Sequence, residues 1–309
     1  MGATLGAVTT VDPITDLAIP ALIWLLMLAV GLDLAPGDFR RVLRYPRAVT
    51  VATLGQLLLL PACAALLIWV QRPEPWVVAG LVLLAASPGG AISNLYSYLG
   101  RGNVALSVTL TAISTLLALG TMPALTTVGL AFFLEESHRI AAPVGRMVGQ
   151  LVVMMLLPLS VGMALRAWRP ALVADARLPL RWLSLMALGC LVALILIDQR
   201  EGLATALATA LPVALPFCVL TMAAGFLLGI IARLEARDRF TLLIEFSTRN
   251  LGLVAIMGVL ILGQAKLVLF ATLFFLVELP LVLLLITLRS RLGGDQARTL
   301  GLTPPADHH

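Results

Sequence analysis

The sequence predicts an all-α membrane protein with about nine transmembrane helices, two of which are discontinuous. The first observation is composition: 60% of the 309 residues are hydrophobic and 12% are charged, whereas a soluble domain carries roughly 25% charged residues. The second is the mean hydropathy of +1.03, which leaves too few polar side chains to cover a surface in water. The third is a pair of apolar segments interrupted by proline, glycine and polar residues.

Hydropathy divides the chain into nine apolar segments, bounded by proline, glycine and charged residues. A spanning helix needs about 20 apolar residues, and irregular backbone facing lipid leaves polar groups unpaired, so we predict a helix in each segment. The predicted spans are 14–33, 47–70, 76–99, 103–133, 141–165, 179–197, 203–232, 239–263 and 266–288. Short loops predict one integral membrane domain at 14–289, with an N-terminal segment at 1–13 and a disordered cytoplasmic tail at 290–309.

The basic residues indicate the orientation of the chain. The net charge is +5 and the isoelectric point is about 9.7, which in a soluble protein would suggest nucleic acid binding. In a membrane protein, excess arginine instead marks the cytoplasmic loops. Most arginines fall in the inner loops if the N-terminus is outside, so we expect the C-terminus in the cytoplasm and no nucleic acid partner. The excess of arginine over lysine favours a bacterial inner membrane.

The third and eighth spans are interrupted at corresponding places. Residues 87–90 of the third span read Ser-Pro-Gly-Gly, and a polar stretch in the eighth begins at Glu245 and includes Asn250. Proline and glycine interrupt helical hydrogen bonding, and paired interruptions are the best sequence indication of a transporter site. If the first four and last four spans are inverted repeats, the third span corresponds to the eighth, and Pro61 corresponds to Pro212.

The sequence around these interruptions closely resembles the bile acid:sodium symporter family. The longest similar stretch begins at Ser87 and reads SPGGAISNLYSYLGRGNVALSVTLTAISTLLA. Two further similar stretches read GLDLAPGDFRRVLRYPRAVTVATLGQLLLLP and IEFSTRNLGLVAIMG. The resemblance covers about residues 20–290 and implies the nine-helix form of the family fold. It also implies a panel domain (about 14–33 and 141–197) and a core domain (about 47–133 and 203–288), in which the broken helices cross.

The resemblance implies a first sodium site. Its residues are Ser93, Asn94, Ser107, Thr111 and Glu245. Carboxylate, amide and hydroxyl oxygens are the ligands that hard cations prefer, and carbonyls exposed at a helix break can add to them. The alternative is that these hydroxyls only form hydrogen bonds between helices, as serine and threonine often do in membranes.

The second sodium site implied by the resemblance is altered in this chain. It would use Glu245, Gln56, carbonyls near Phe246 and Thr248, and a glutamine at the position of Arg249. A guanidinium has only donors, so Arg249 cannot bind sodium. Three explanations remain open: Arg249 supplies the charge of one missing sodium, it binds the carboxylate of the substrate, or it forms a structural ion pair with Glu245, four residues away.

The substrate-binding residues are also expected near the breaks. Asn94, Arg249 and Asn250 are candidates, and Ala91 stands where the family often has threonine. Helix N-termini at such breaks carry partial positive charge and favour an anion. Glu278, in the ninth span, is a further candidate because carboxylates within membranes are usually functional. It could instead be protonated, or satisfied by a neighbouring helix.

The sequence therefore predicts a transporter and not an enzyme. The expected function is sodium-coupled symport of an organic anion by alternating access, with a bile-acid-like steroid or a small carboxylate as substrate. The alternative is a sodium-independent or proton-coupled carrier of the same fold, in which Arg249 replaces one sodium ion. The expected partners are the substrate, sodium and the lipid bilayer. No cofactor other than sodium and no obligate protein partner is expected.

Overall fold

The computed structural model describes residues 17–35, 37, 45–134 and 144–291. Helices α1 to α6 are Ile19–Asp33, Pro46–Gln71, Pro75–Ala86, Ile92–Leu99, Val104–Phe133 and Val144–Trp168. Helices α7 to α12 are Pro170–Asp175, Arg177–Asp198, Leu203–Ile231, Ala236–Ser247, Leu251–Ile261 and Ala265–Arg291. The backbone of α6 includes a π-helical segment at Val152–Leu156, and α11 ends in one at Ile256–Ile261.

The prediction of an all-α polytopic membrane protein is confirmed. Within the described ranges, five helices are long and apolar enough to cross a membrane: α2, α5, α6, α9 and α12. The shorter apolar helices are α1, α3, the part of α8 at Trp182–Asp198, and α11. Residues 1–13 and 292–309, which include most of the predicted tail, lie outside the described residues, and residues 290–291 belong to α12.

Prolines mark both the starts and the interiors of the helices. Pro46 and Pro75 lie at the first helical position of α2 and α3, where the missing N–H has no intrahelical partner to lose. Pro61 lies inside α2, and Pro212 lies inside α9. Both helices continue through these prolines, so the two residues do not end their spans. The inverted repeat that their correspondence suggests stays a prediction.

The helices pack in two groups. Helix α1 packs mainly on α6 and α8, whereas α2, α3, α5, α9, α10 and α12 pack mainly on one another. Glycines permit the close approach of α1 to α6: a Cβ on Gly162 would lie 2.7 Å from the backbone nitrogen of Leu32. The assignment of these groups to a panel and a core stays a prediction.

Both predicted interruptions are present, and the two non-helical segments contact each other at what is called the crossing below. Residues 87–91 separate α3 from α4, and residues 248–250 separate α10 from α11. Gly89 and Arg249 form an isolated antiparallel bridge, in which Gly90 N donates to Thr248 O at 3.1 Å and Asn250 N donates to Pro88 O at 3.0 Å. The freed backbone groups of one break therefore bind those of the other, which allows non-helical backbone to exist within the membrane.

Candidate functional site

Glu245 lies at the centre of the candidate site. It belongs to the last turn of α10, and its side chain is 0% exposed. The polar stretch of the eighth span begins at Glu245, but the helix itself breaks three residues later, at Thr248. Glu245 is therefore held by regular helical backbone, and its carboxylate is directed at the hydroxyls of neighbouring helices.

Three hydroxyl groups from two other helices contact the carboxylate. Ser93 Oγ donates to Glu245 Oε1 at 2.5 Å, Ser107 Oγ donates to the same oxygen, and Thr111 Oγ1 lies 3.4 Å from both carboxylate oxygens. Ser107 Oγ also lies 2.9 Å from Asn94 Oδ1. The structure thus brings together all five residues predicted for the first sodium site, with Ser93 and Asn94 on α4 and Ser107 and Thr111 one turn apart on α5.

Glycines at the crossing make room for this cluster. A Cβ on Gly89 would lie 2.8 Å from Glu245 Oε2, and a Cβ on Gly90 would lie 2.7 Å from the carbonyl oxygen of Arg249. No side chain fits at either position without displacement. The glycines predicted from the sequence to break the helix therefore also allow the two backbones and the carboxylate to approach one another.

Arg249 and Gln56 line the same cavity beside the crossing. The cavity has an empty volume of about 330 Å³ including its opening, and the other residues around it come from α2, α3, α5 and residues 87–88. Arg249 is 8% exposed and Gln56 is 6% exposed, and neither Arg249 Nε nor Gln56 Nε2 has a hydrogen-bond partner. Arg249 therefore lines a cavity formed by helices of the larger packing group.

The ion pair of Arg249 with Glu245, one of the three explanations that the sequence left open, is not found among the described side chains. Arg249 Nη1 donates to the backbone carbonyl of Glu245 at 3.5 Å, and the carboxylate instead accepts from the three hydroxyls. The reason is the break, because residues 248–250 leave the helix and i, i+4 neighbours face each other only along continuous helix. Of the other residues predicted for the second site, Phe246 is 0% exposed and packs beside Gly55 and Gly225 of α2 and α9.

Glu278 contacts the crossing from α12. Thr248 Oγ1 donates to Glu278 Oε1 at 2.7 Å, and Glu278 is 1% exposed. Thr248 is also the residue whose carbonyl accepts from Gly90. Glu278 therefore accepts a hydrogen bond from the neighbouring break, and it holds the first residue of that break in place. A role of Glu278 in substrate binding stays a prediction.

The remaining substrate candidates lie at the two ends of the crossing. Asn250 caps α11, because its Oδ1 accepts from Leu253 N at 3.1 Å, and Ala91 precedes α4 and is partly exposed. A Cβ on Gly252 would lie 3.3 Å from Met27 Cε, so the first turn of α11 faces α1. Asn250 therefore lies at the start of the helix that meets the other packing group.

Ser114 is a site residue that the sequence interpretation missed. Its hydroxyl accepts from Gly89 N at 3.3 Å and donates to Thr111 O at 3.2 Å. The signal was available in the sequence, because Ser107, Thr111 and Ser114 recur at the spacing of one helix face. Ser114 extends the polar face of α5 from the carboxylate to the backbone of the break.

Comparison with known proteins identifies the family. A model of the Sodium Bile acid symporter family matches residues 20–206, which is more than half of the chain and includes Ser93, Asn94, Ser107 and Thr111. The chain belongs to this family. Membership in the sodium bile acid symporter family makes the chain a membrane transporter and not an enzyme, as the sequence predicts.

Individual relatives agree with this assignment. The uncharacterized sodium-dependent transporter YocS of Bacillus subtilis is 26% identical over 233 residues, which is 74% of this chain and 70% of YocS. The human hepatic sodium/bile acid cotransporter is 26% identical over 247 residues, or 77% of this chain and 70% of the human protein. A probable chloroplastic sodium/metabolite cotransporter of rice is 41% identical over 101 residues, or 33% of this chain and 24% of the rice protein.

Proposed function

We propose that this protein is a sodium-coupled symporter of an organic anion. The observation that carries the proposal is the buried cluster around Glu245, in which a carboxylate, an amide oxygen and three hydroxyls converge where two broken helices cross. These groups are all oxygens, which hard cations prefer. Discontinuous helices hold the coupling ion in many secondary transporters, and the names of the relatives describe sodium-dependent transport.

Sodium is favoured by the charge of the cluster as well as by its ligands. An ionised Glu245 without a cation is costly at this depth, since a charge at the centre of a spanning helix costs about 2.5–3.5 kcal/mol. One monovalent cation would neutralise the carboxylate and exchange its hydrogen bonds for ion contacts. The hydroxyls of Ser93, Ser107 and Thr111 could then rotate to present lone pairs to the ion.

The substrate is expected on the side of the crossing that faces α1. The N-termini of α4 and α11 begin at the breaks, where partial positive charge favours an anion, and Asn250 lies at the start of α11. Movement of the larger packing group against α1, α6 and α8 would expose this region alternately to the two sides of the membrane. The substrate class is an organic anion, either a bile-acid-like steroid or a small carboxylate.

The position of Arg249 supports coupling of transport to one sodium ion instead of two. Its guanidinium lies beside Gln56, where the family resemblance would put a second ion, and its hydrogen bond to the Glu245 carbonyl occupies an oxygen near that position. The cavity that it lines contains no residue of α1, α6 or α8, which favours a substitute charge over a substrate contact. Arg249 would then provide permanently the positive charge that a second sodium would bring.

The test is uptake by proteoliposomes of purified protein, with sodium or choline as the external cation. A panel of carboxylates is first screened by thermal unfolding with and without sodium, because mutual stabilisation reports linked binding. We expect a stabilising carboxylate to be taken up in sodium and not in choline. Glu245→Gln should abolish the dependence on sodium. Equal uptake by the wild-type protein in sodium and choline would support the sodium-independent alternative.

A further inference from the structure

Another buried charged side chain lies on α12, 11 residues after Glu278. Arg289 is 4% exposed, and none of its nitrogens, Nε, Nη1 or Nη2, has a hydrogen-bond partner among the residues that the structure describes. It lies in the last turn of α12, two residues before the end of this membrane-spanning helix. A buried guanidinium normally satisfies its donors, because an unmade hydrogen bond to a charged group is costly.

An aromatic ring packs against this guanidinium. Arg289 Cζ lies 4.3 Å from the centre of the Phe240 ring, a cation–π distance, and Phe240 is 1% exposed. The ring is itself confined, because a Cβ on Gly100 would lie 2.5 Å from Phe240 Cζ. Arg289 is therefore held against a confined ring, and the described residues offer its N–H donors no acceptor.

A second arginine lies close to the first. Arg237 lies on α10 three residues before Phe240, about one helical turn from the ring that Arg289 contacts, and its buried Nε has no partner among the described residues. The neighbouring carboxylate of Asp238 accepts from Asn103 Nδ2 at 2.8 Å. Two like charges thus lie at one aromatic ring, and in the described part of the chain four of their buried nitrogens have no acceptor, so a bound anion would relieve their mutual repulsion.

We propose that Arg289 and Arg237 form a binding site for a phosphate group at the end of α12. Paired guanidinium groups match the geometry of phosphate oxygens and bind them through charge-assisted hydrogen bonds. The site lies at the end of a membrane-spanning helix, with the exposed apolar side chain of Leu288 beside it. The phosphate can come from the headgroup of an anionic lipid or from free phosphate in solution.

The experiment measures ligand binding to purified protein by native mass spectrometry and by thermal unfolding. One arm adds phosphatidylglycerol to protein in neutral detergent, and the other adds inorganic phosphate. The variants are Arg289→Gln and Arg237→Gln. Arg291→Gln is the matched control, since Arg291 is an exposed arginine on the same turn of α12. Arg289→Lys keeps the charge and loses the two-pronged donor geometry.

We expect the wild-type protein and Arg291→Gln to retain one tightly bound anionic ligand. Arg289→Gln should bind it at least about tenfold more weakly, as expected for a lost charge-assisted hydrogen bond, and Arg237→Gln and Arg289→Lys should show smaller losses. Binding of lipid alone identifies a headgroup site, and stabilisation by inorganic phosphate alone identifies a solute site. Equal binding by the wild-type protein, Arg237→Gln and Arg291→Gln overturns the proposal, even if Arg289→Gln does not fold.

Discussion

At the scale of single residues, the two charged side chains Glu245 and Arg249 lie in different surroundings at the crossing. Glu245 is held by hydroxyls of α4 and α5, whereas Arg249 lies beside Gln56 and reaches Glu245 only through its backbone carbonyl. The two charges therefore lie near each other without a direct ion pair. A salt bridge with Arg249 would have occupied the carboxylate oxygens that the proposed sodium site requires.

Ser107→Ala tests the proposed sodium ligands. Ser107 Oγ donates to Glu245 and lies within hydrogen-bond distance of Asn94, so its removal should lower the apparent affinity for sodium by roughly tenfold or more, the effect of one hydrogen bond to a charged group. The measurement is uptake as a function of sodium concentration. Thr126→Ala is the control, since Thr126 is a buried residue of α5 whose hydroxyl has no partner. An unchanged sodium affinity in Ser107→Ala would exclude Ser107 as a ligand.

Arg249→Gln tests whether arginine replaces an ion. The substitution removes the positive charge and provides an amide oxygen beside Gln56, so a second sodium should become able to bind. We expect the sodium dependence of uptake to change from a Hill coefficient of about 1 to a value above 1. A wild-type protein that already couples two sodium ions to each turnover would contradict the proposed role of Arg249.

At the scale of the elements, the crossing depends on two short irregular segments that satisfy each other. The break after α3 provides Pro88 O and Gly90 N, and the break after α10 provides Asn250 N and Thr248 O. Glu278 of α12 holds Thr248, and Ser114 of α5 holds Gly89. Neighbouring helices thus support both breaks, so the site is positioned by rigid elements on several sides.

Gly90→Ala tests the close approach of the two breaks. The added Cβ would lie 2.7 Å from the Arg249 carbonyl oxygen, and overpacking of this kind costs about 1–3 kcal/mol. We expect a lower unfolding temperature and loss of uptake. Gly120→Ala is the control, because nothing lies within 4 Å of its Cβ position, and alanine in place of glycine within a helix is stabilising by about 1 kcal/mol. Equal unfolding temperatures of the two variants would show that the two breaks can move to accommodate the added Cβ without loss of stability.

For the whole molecule, the proposed coupling to one sodium ion predicts how transport responds to voltage. With both side chains ionised, Glu245 and Arg249 together have no net charge in the empty site. Binding of one sodium and one monovalent organic anion would add none. The movement proposed for the larger packing group would therefore carry no net charge from this site across the membrane in either the loaded or the empty form.

Transport of a monovalent anion should accordingly be electroneutral. A potassium diffusion potential set by valinomycin in proteoliposomes should leave the initial rate of uptake unchanged in the wild-type protein. In Arg249→Gln the empty site becomes negative, so uptake should depend on the potential, because moving one charge through 100 mV is worth about 2.3 kcal/mol. A wild-type rate that rises with an inside-negative potential would indicate an additional coupled cation.

Much of this molecule could be predicted from the sequence because the bilayer imposes simple requirements. Long apolar segments must be helices, so composition and hydropathy were sufficient for the fold class, and proline and glycine located both breaks. Glu245 and the four residues around it could also be predicted, from the resemblance and from the helical spacing of Ser107 and Thr111. Ser114 was missed although it continues the same face of α5.

The sequence by itself determined which polar groups lie within the membrane, since a polar residue inside an apolar span is identified by its position in the sequence. Only the tertiary structure decided which of them face each other. Arg249 and Glu245 are four residues apart but do not pair, because the break redirects the backbone between them. Glu278 and Thr248 are 30 residues apart but form a hydrogen bond, and so do Ser93 and Glu245, 152 residues apart. Spacing along the chain determines contacts only within continuous helix, and the site lies where two helices are interrupted.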